Sequence, residues 1–174
     1  GWRSPASDRP GPGWRTMSAF RMASGGRIDR TKPLRFTFDG RPLEGVHGDT
    51  LASALLANGV HLVARSFKYH RPRGILSAGA EEPNALVAVR RDAARFTPNL
   101  RATQVELYAG LNAESQNRWP SLGFDLGRAN DLLAPFFPAG FYYKTFMWPR
   151  TAWKSLYEPV IRSAAGLGRA PTEP

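Results

Sequence analysis

A chain of 174 residues, 42% apolar and 11% aromatic, is long enough for one packed domain and an appendage, and too apolar to be disordered throughout. With no cysteine it has no disulfide, thiolate nucleophile, iron–sulfur ligand or cysteine zinc site, and its three histidines, His47, His61 and His70, form no short-spaced metal motif. A net charge of +10 reads as a solvated basic surface or a subunit-facing patch. Residues 1–32 mix Pro, Gly, Ser and Arg without periodicity and read as disordered or loosely attached, with Arg3, Arg9, Arg15 and Arg21 carrying part of the charge. Met17 is a candidate natural start. The segment lacks an apolar signal core, and no apolar run approaches the roughly 18 residues of a membrane span, so a cytoplasmic location is the default expectation.

Regular structure is expected from Leu34, where Leu34, Phe36 and Phe38 alternate with Arg35 and Thr37 at strand period. Asp39-Gly40 predicts a tight hairpin turn, and Arg41 to Val46 a second strand, at or entering a sheet edge because of Pro42. Asp49 or Thr50 is expected to cap a helix running to about Asn58, with Gly59 closing it. Two strands followed by a helix across them open a β-grasp domain. Residues 64–85 read as a long irregular connection, which in a compact domain normally has a purpose. Leu86 to Val89 predicts a buried strand, Thr97-Pro98-Asn99 a turn, and Gln104 to Tyr108 another strand. The domain is thus expected over 33–109.

Beyond Gly110 the text is aromatic and broken by proline, which suits a segment wrapping over another surface. Phe136, Phe137, Tyr142, Tyr143, Trp148 and Trp153 are the candidate partner-facing aromatics. Helical period resumes over 151–165, with Pro159 expected to kink or divide the helix. The extension is assigned to 110–168, and 169–174 reads as a truncated linker.

The long connection resembles a ferredoxin cluster loop with its ligands missing. Plant-type clusters use C-x4-C-x2-C and a distant fourth cysteine, so one loop wraps the cluster and offers several thiolates. Counting that spacing from Ser77, after Arg71-Pro72-Arg73-Gly74, gives Glu82 and then Ala85. Arg95, before Phe96-Thr97-Pro98, takes the fourth place. Alanine cannot ligate and cationic arginine repels a metal, so these degenerate positions exclude a cluster and leave the loop a structural role.

The words FKYHRPRGI (Phe67–Ile75), EEPNALV (Glu81–Val87), SQNRWPS (Ser115–Ser121) and PFFPAGFYYKTFMWPR (Pro135–Arg150) are similar to the alpha subunits of heterotetrameric sarcosine oxidases, in the same order from about Met17 onward. The resemblance implies a parent complex that oxidatively demethylates sarcosine to glycine, reducing oxygen to hydrogen peroxide. It also implies FAD, FMN, NAD and tetrahydrofolate, with the remaining alpha domains and the other subunits as partners. No glycine-rich dinucleotide fingerprint follows a predicted strand in this chain, so it is expected to be non-catalytic alone. The fold expectation is α+β: a β-grasp, ferredoxin-like domain without cluster ligands, followed by an irregular and helical extension.

Two other readings compete. Lys68 to Arg73, with Phe67 and Tyr69 available for stacking, suits a basic nucleic-acid-binding module. Arg71 and Arg73 also suit anion or cofactor contact, since guanidinium offers bidentate donors. Glu81-Glu82 reads as a solvated or Arg-paired acidic turn rather than an acid–base pair.

Overall fold

A computed structural model of the chain describes residues 20–132 and 151–164. A five-stranded mixed sheet is built from β1 (Asp29–Phe38), β2 (Arg41–His47), β5 (Leu86–Arg90), β6 (Phe96–Arg101) and β7 (Asn112–Ser115), in the order β2-β1-β7-β5-β6. β1 and β7 run parallel, and the other neighbours antiparallel. Helix α1 (Leu51–Ala57) packs its apolar side onto one face. A short ribbon of β3 (Ala64–Arg65) and β4 (Pro72–Arg73) stands apart. This is an α+β, ferredoxin-like β-grasp domain.

β1, β2 and α1 have local causes. Phe36 and Phe38 point inward from β1, at 2% and 5% exposure, while the flanking Arg35 is exposed and the intervening Thr37 half-buried, the alternation of a strand with one face on the core. Asp39 and Gly40 both take positive φ, 51° and 75°, the combination a two-residue hairpin turn needs. β2 is an edge strand, so Pro42 removes no hydrogen bond from the sheet interior. Thr50 caps α1 reciprocally with Ser53, and Gly59 leaves the helix at φ 71°. The core joins these parts: Phe36, Phe38, Leu43, Leu51, Leu55, Val63, Val87, Leu107 and Leu111 form one buried cluster.

Five expectations are corrected. The residues around Thr97-Pro98-Asn99 are not a turn but lie within β6, at the sheet edge. Two residues, Pro98 and Asn99, oppose the single Ala88 between the pairs Val87–Leu100 and Val89–Thr97, and Asn99 sits at φ 59°. The turn-forming residues therefore made a β-bulge, where a missing donor and a left-handed residue are tolerated. Residues 104–108 form no strand. Their backbone instead serves the start of α1: Leu51 N–H donates to Val105 C=O, and Leu107 N–H to Asp49 C=O.

The sheet also takes its central strand β7 from 112–115, past residue 109, and β1 begins at Asp29 rather than Leu34. Finally, Arg21 is not loosely held. It forms a bidentate pair with the buried Asp49, at 3.0 and 2.6 Å. Asp49 is the reason Thr50 alone caps the helix: its carboxylate is already committed to Arg21, Val46 N–H and Ser53 Oγ.

In the extension, Leu126–Arg128 form a 3₁₀ turn continued by α2 (Ala129–Leu132). A π-helical turn at Trp153–Tyr157 passes into α3 (Glu158–Ala164), so the helix changes character beside Pro159, whose missing N–H breaks the ladder. No helix among the described residues is long and apolar enough to cross a membrane.

Candidate functional site: the ligand-free cluster loop

The loop from Gly74 to Ala85 closes around one side chain. Glu82 is fully buried, and its carboxylate accepts four backbone N–H groups: Leu76 and Ser77 on Oε2 at 2.7 and 2.6 Å, Asn84 and Ala85 on Oε1 at 2.7 and 3.0 Å. Burial pushes this carboxyl group's pKa up. The four amides outweigh it and hold the group below the usual glutamate range. The loop thus folds inward on a negative charge, with dipoles from both of its arms aimed at one point.

The neighbouring Glu81 is exposed, so the adjacent carboxylates diverge. The expectation of a solvated or Arg-paired turn holds for neither oxygen of Glu82; its partners are main-chain amides. Ala85 is fully buried at the foot of β5, and Ser77 Oγ is buried with no hydrogen-bond partner among the described residues.

Three further hydrogen bonds fasten the loop to the end of β6 and the residues after it. Ala102 N–H donates to Ala85 C=O at 2.9 Å, and Thr103 Oγ1 donates to Gly79 C=O at 2.8 Å. Arg101 Nε reaches the Glu82 carbonyl at 3.2 Å. Thr103 went unremarked in the sequence, although Ala102-Thr103 follows directly on β6, the strand that pairs with the loop's exit.

Arg95 lies elsewhere. It belongs to the hairpin end, where its C=O accepts Arg91 N–H and its side chain pairs with Asp92 at 2.8 Å. Ala85 faces Ala102 at the opposite end of the same hairpin, roughly 20 Å away at about 3.4 Å per residue.

The basic stretch before the loop is engaged within the chain. Arg71 pairs with Asp131 at 2.8 Å, and Arg73 donates to Asn84 Oδ1 at 2.8 Å. Arg71 and Lys68 both lie over the Tyr69 ring, each at 4.9 Å. His70 Nδ1 meets the buried Asp125 at 2.7 Å, and the same carboxylate takes Arg65 at 3.2 Å and the N–H groups of Trp119 and Gly127, each at 3.0 Å. Asp125 therefore ties the segment after β7 to the loop's approach. His47 and His61 are exposed; His61 stacks edge-on with Phe20 at 4.8 Å. Of the partner-facing aromatics, Trp153 is half-buried, and Phe136, Phe137, Tyr142, Tyr143 and Trp148 lie outside the described residues.

Residues 31–118 match the family described as 2Fe-2S iron-sulfur cluster binding domain. The chain is 68% identical over 157 residues to sarcosine oxidase subunit alpha of Rhizobium meliloti, covering 90% of this chain and 16% of that one. It is 49% identical over 94 residues to sarcosine oxidase subunit alpha of Corynebacterium sp. (strain U-96), covering 53% and 10%. Among solved structures, L-proline dehydrogenase from P. horikoshii aligns over 51% of this chain and 16% of its own, at 27% identity and a TM-score of 0.41.

A 2Fe–2S cluster does not fit the residues present. The chain has no thiolate, Ala85 has no donor atom, and each Glu82 oxygen already accepts two amides. Among the described residues, no group of three or more His, Cys, Asp or Glu side chains could hold a metal.

Proposed function

Because the chain belongs to the 2Fe–2S iron–sulfur cluster binding domain family but offers no thiolate to a cluster, we propose that it is a structural and assembly segment of a sarcosine oxidase alpha subunit. The observation that carries this reading is the Glu82-centred loop: the wrapping backbone is kept, and its centre is filled by a side chain that has no redox chemistry. The chain spans 16% of the length of its Rhizobium meliloti relative and 10% of that from Corynebacterium sp. strain U-96, so the work of a whole subunit lies mostly outside it.

On this reading the parent complex is a cytoplasmic heterotetramer that oxidatively demethylates sarcosine to glycine. FAD, FMN, NAD and tetrahydrofolate are bound by its other domains and subunits. The contribution of this segment is packing. The exposed Trp119, Phe124 and Leu132, at 64%, 66% and 83%, join Phe136, Phe137, Tyr142, Tyr143, Trp148 and Trp153 as the apolar material for contact with the rest of the assembly. The purified chain, given sarcosine and oxygen, is expected to form no hydrogen peroxide, and to co-purify with the remaining polypeptides when co-expressed. Sustained peroxide formation by the chain alone, or its failure to co-purify, overturns the reading.

A further inference from the structure

We propose that the Glu82 carboxylate is a resident anion standing where the cluster of this family would stand, and that the fourth position of the cradle is Thr103 rather than Arg95. An oxidised 2Fe–2S centre combines two ferric ions, two sulfides and four thiolates, and so carries net negative charge. Protein loops around such centres direct hydrogen-bond donors at the sulfurs. A loop that loses its thiolates is left with converging amides and nothing to receive them. Each buried N–H without an acceptor costs about as much as a lost hydrogen bond. Here the second position of the C-x4-C-x2-C spacing supplies the acceptor itself, and the amides of Leu76, Ser77, Asn84 and Ala85 all end on it.

The rest of the cradle follows from position. Ser77 contributes a buried hydroxyl oxygen with no hydrogen-bond partner among the described residues, as expected where a sulfur ligand has shrunk to oxygen and lost its metal. Ala85 is fully buried. Thr103 is 7% exposed and joins the loop through Gly79, whose carbonyl also receives Glu82 N–H at 3.3 Å. Arg95 sits at the other end of the β5–β6 hairpin and cannot share a centre with Ala85.

Two experiments on the full chain test the proposal, and neither depends on whether the chain joins a larger assembly. In the first, Ser77→Cys, Glu82→Cys, Ala85→Cys and Thr103→Cys are combined and supplied with ferric iron and sulfide. Four thiols release four protons and no electron is needed. The expected result is the visible absorption of a two-iron, two-sulfide centre; the set with Arg95→Cys in place of Thr103→Cys forms none. A centre in the Arg95 set, or in neither, overturns the assignment.

The second needs no metal. Glu82→Ala is expected to lower Tm by roughly 10 °C or more, and molar formate to restore at least half of that loss while leaving the unsubstituted chain nearly unchanged. An unchanged Tm, or a loss indifferent to formate, overturns the role of Glu82 as the resident anion.

Discussion

Two buried carboxylates organise this molecule by opposite means. Glu82 lies at the centre of a loop and is satisfied by neutral main-chain dipoles, all from residues within six positions of it. Asp125 lies between segments more than fifty residues apart and is satisfied by Arg65 and His70 together with two amides. The first arrangement makes a local fold self-contained. The second is a clasp, and its strength depends on the charged partners that the rest of the chain brings to it.

That contrast predicts a graded set of outcomes. Glu82→Ala removes the acceptor of four buried N–H groups, and solvent entry offsets part of the cost. A loss of about 4 kcal/mol is expected by chemical denaturation. A loss under about 1 kcal/mol would mean that the loop is held from outside, by Thr103 and Ala102, and not by its centre.

Asp125→Asn leaves the buried Arg65 guanidinium without its counter-charge and is expected to cost about 3 kcal/mol. The Asp125 side chain is fully buried and Arg65 is 6% exposed, so raising the salt concentration should hardly change that figure. Strong salt dependence would show that the clasp is open to solvent.

Acid should weaken both sites. Burial pushes both carboxyl pKa values up, but amides at Glu82, and His70 with amides at Asp125, outweigh it and leave both groups below their ordinary values. A carboxyl group with a depressed folded pKa contributes fully above its unfolded value and loses that contribution as pH falls through the folded one. Stability measured by denaturant titration should therefore be level from neutral pH to about 5 and fall below about 4. Glu82→Gln should flatten part of that fall. An undiminished acid slope in Glu82→Gln would assign it to other groups. The smallest effect is expected at Ser77→Ala, which removes a buried hydroxyl that has no partner among the described residues: no loss, or a gain of up to about 1 kcal/mol in the same titration.

Much of the fold was legible because its signals were local. The Leu34–Phe38 alternation, the Asp39-Gly40 turn, the Thr50 cap and the Gly59 stop each depend on a few neighbouring residues, and each stands where expected. The α+β, β-grasp architecture and the absence of cluster ligands followed from the same text. What misled were signals with two structural solutions. Pro98 and Asn99 fit a turn as well as a bulge, and the choice fell to the edge position of β6. β7 was missed because Asn112-Ala113-Glu114-Ser115 has no β-branched or aromatic residue; its place is fixed by the flanking strands that take its hydrogen bonds.

For the candidate site the division is sharper. The sequence alone determined that this chain offers a cluster no thiolate, since it has no cysteine. It also placed Ser77, Glu82 and Ala85 in one loop by counting. Only the tertiary structure decided that Glu82 turns inward to gather four amides, that Arg21 closes on Asp49, and that Thr103 rather than Arg95 reaches the loop. Burial and hydrogen-bond convergence are properties of several segments folded together, and residue spacing along one segment does not encode them.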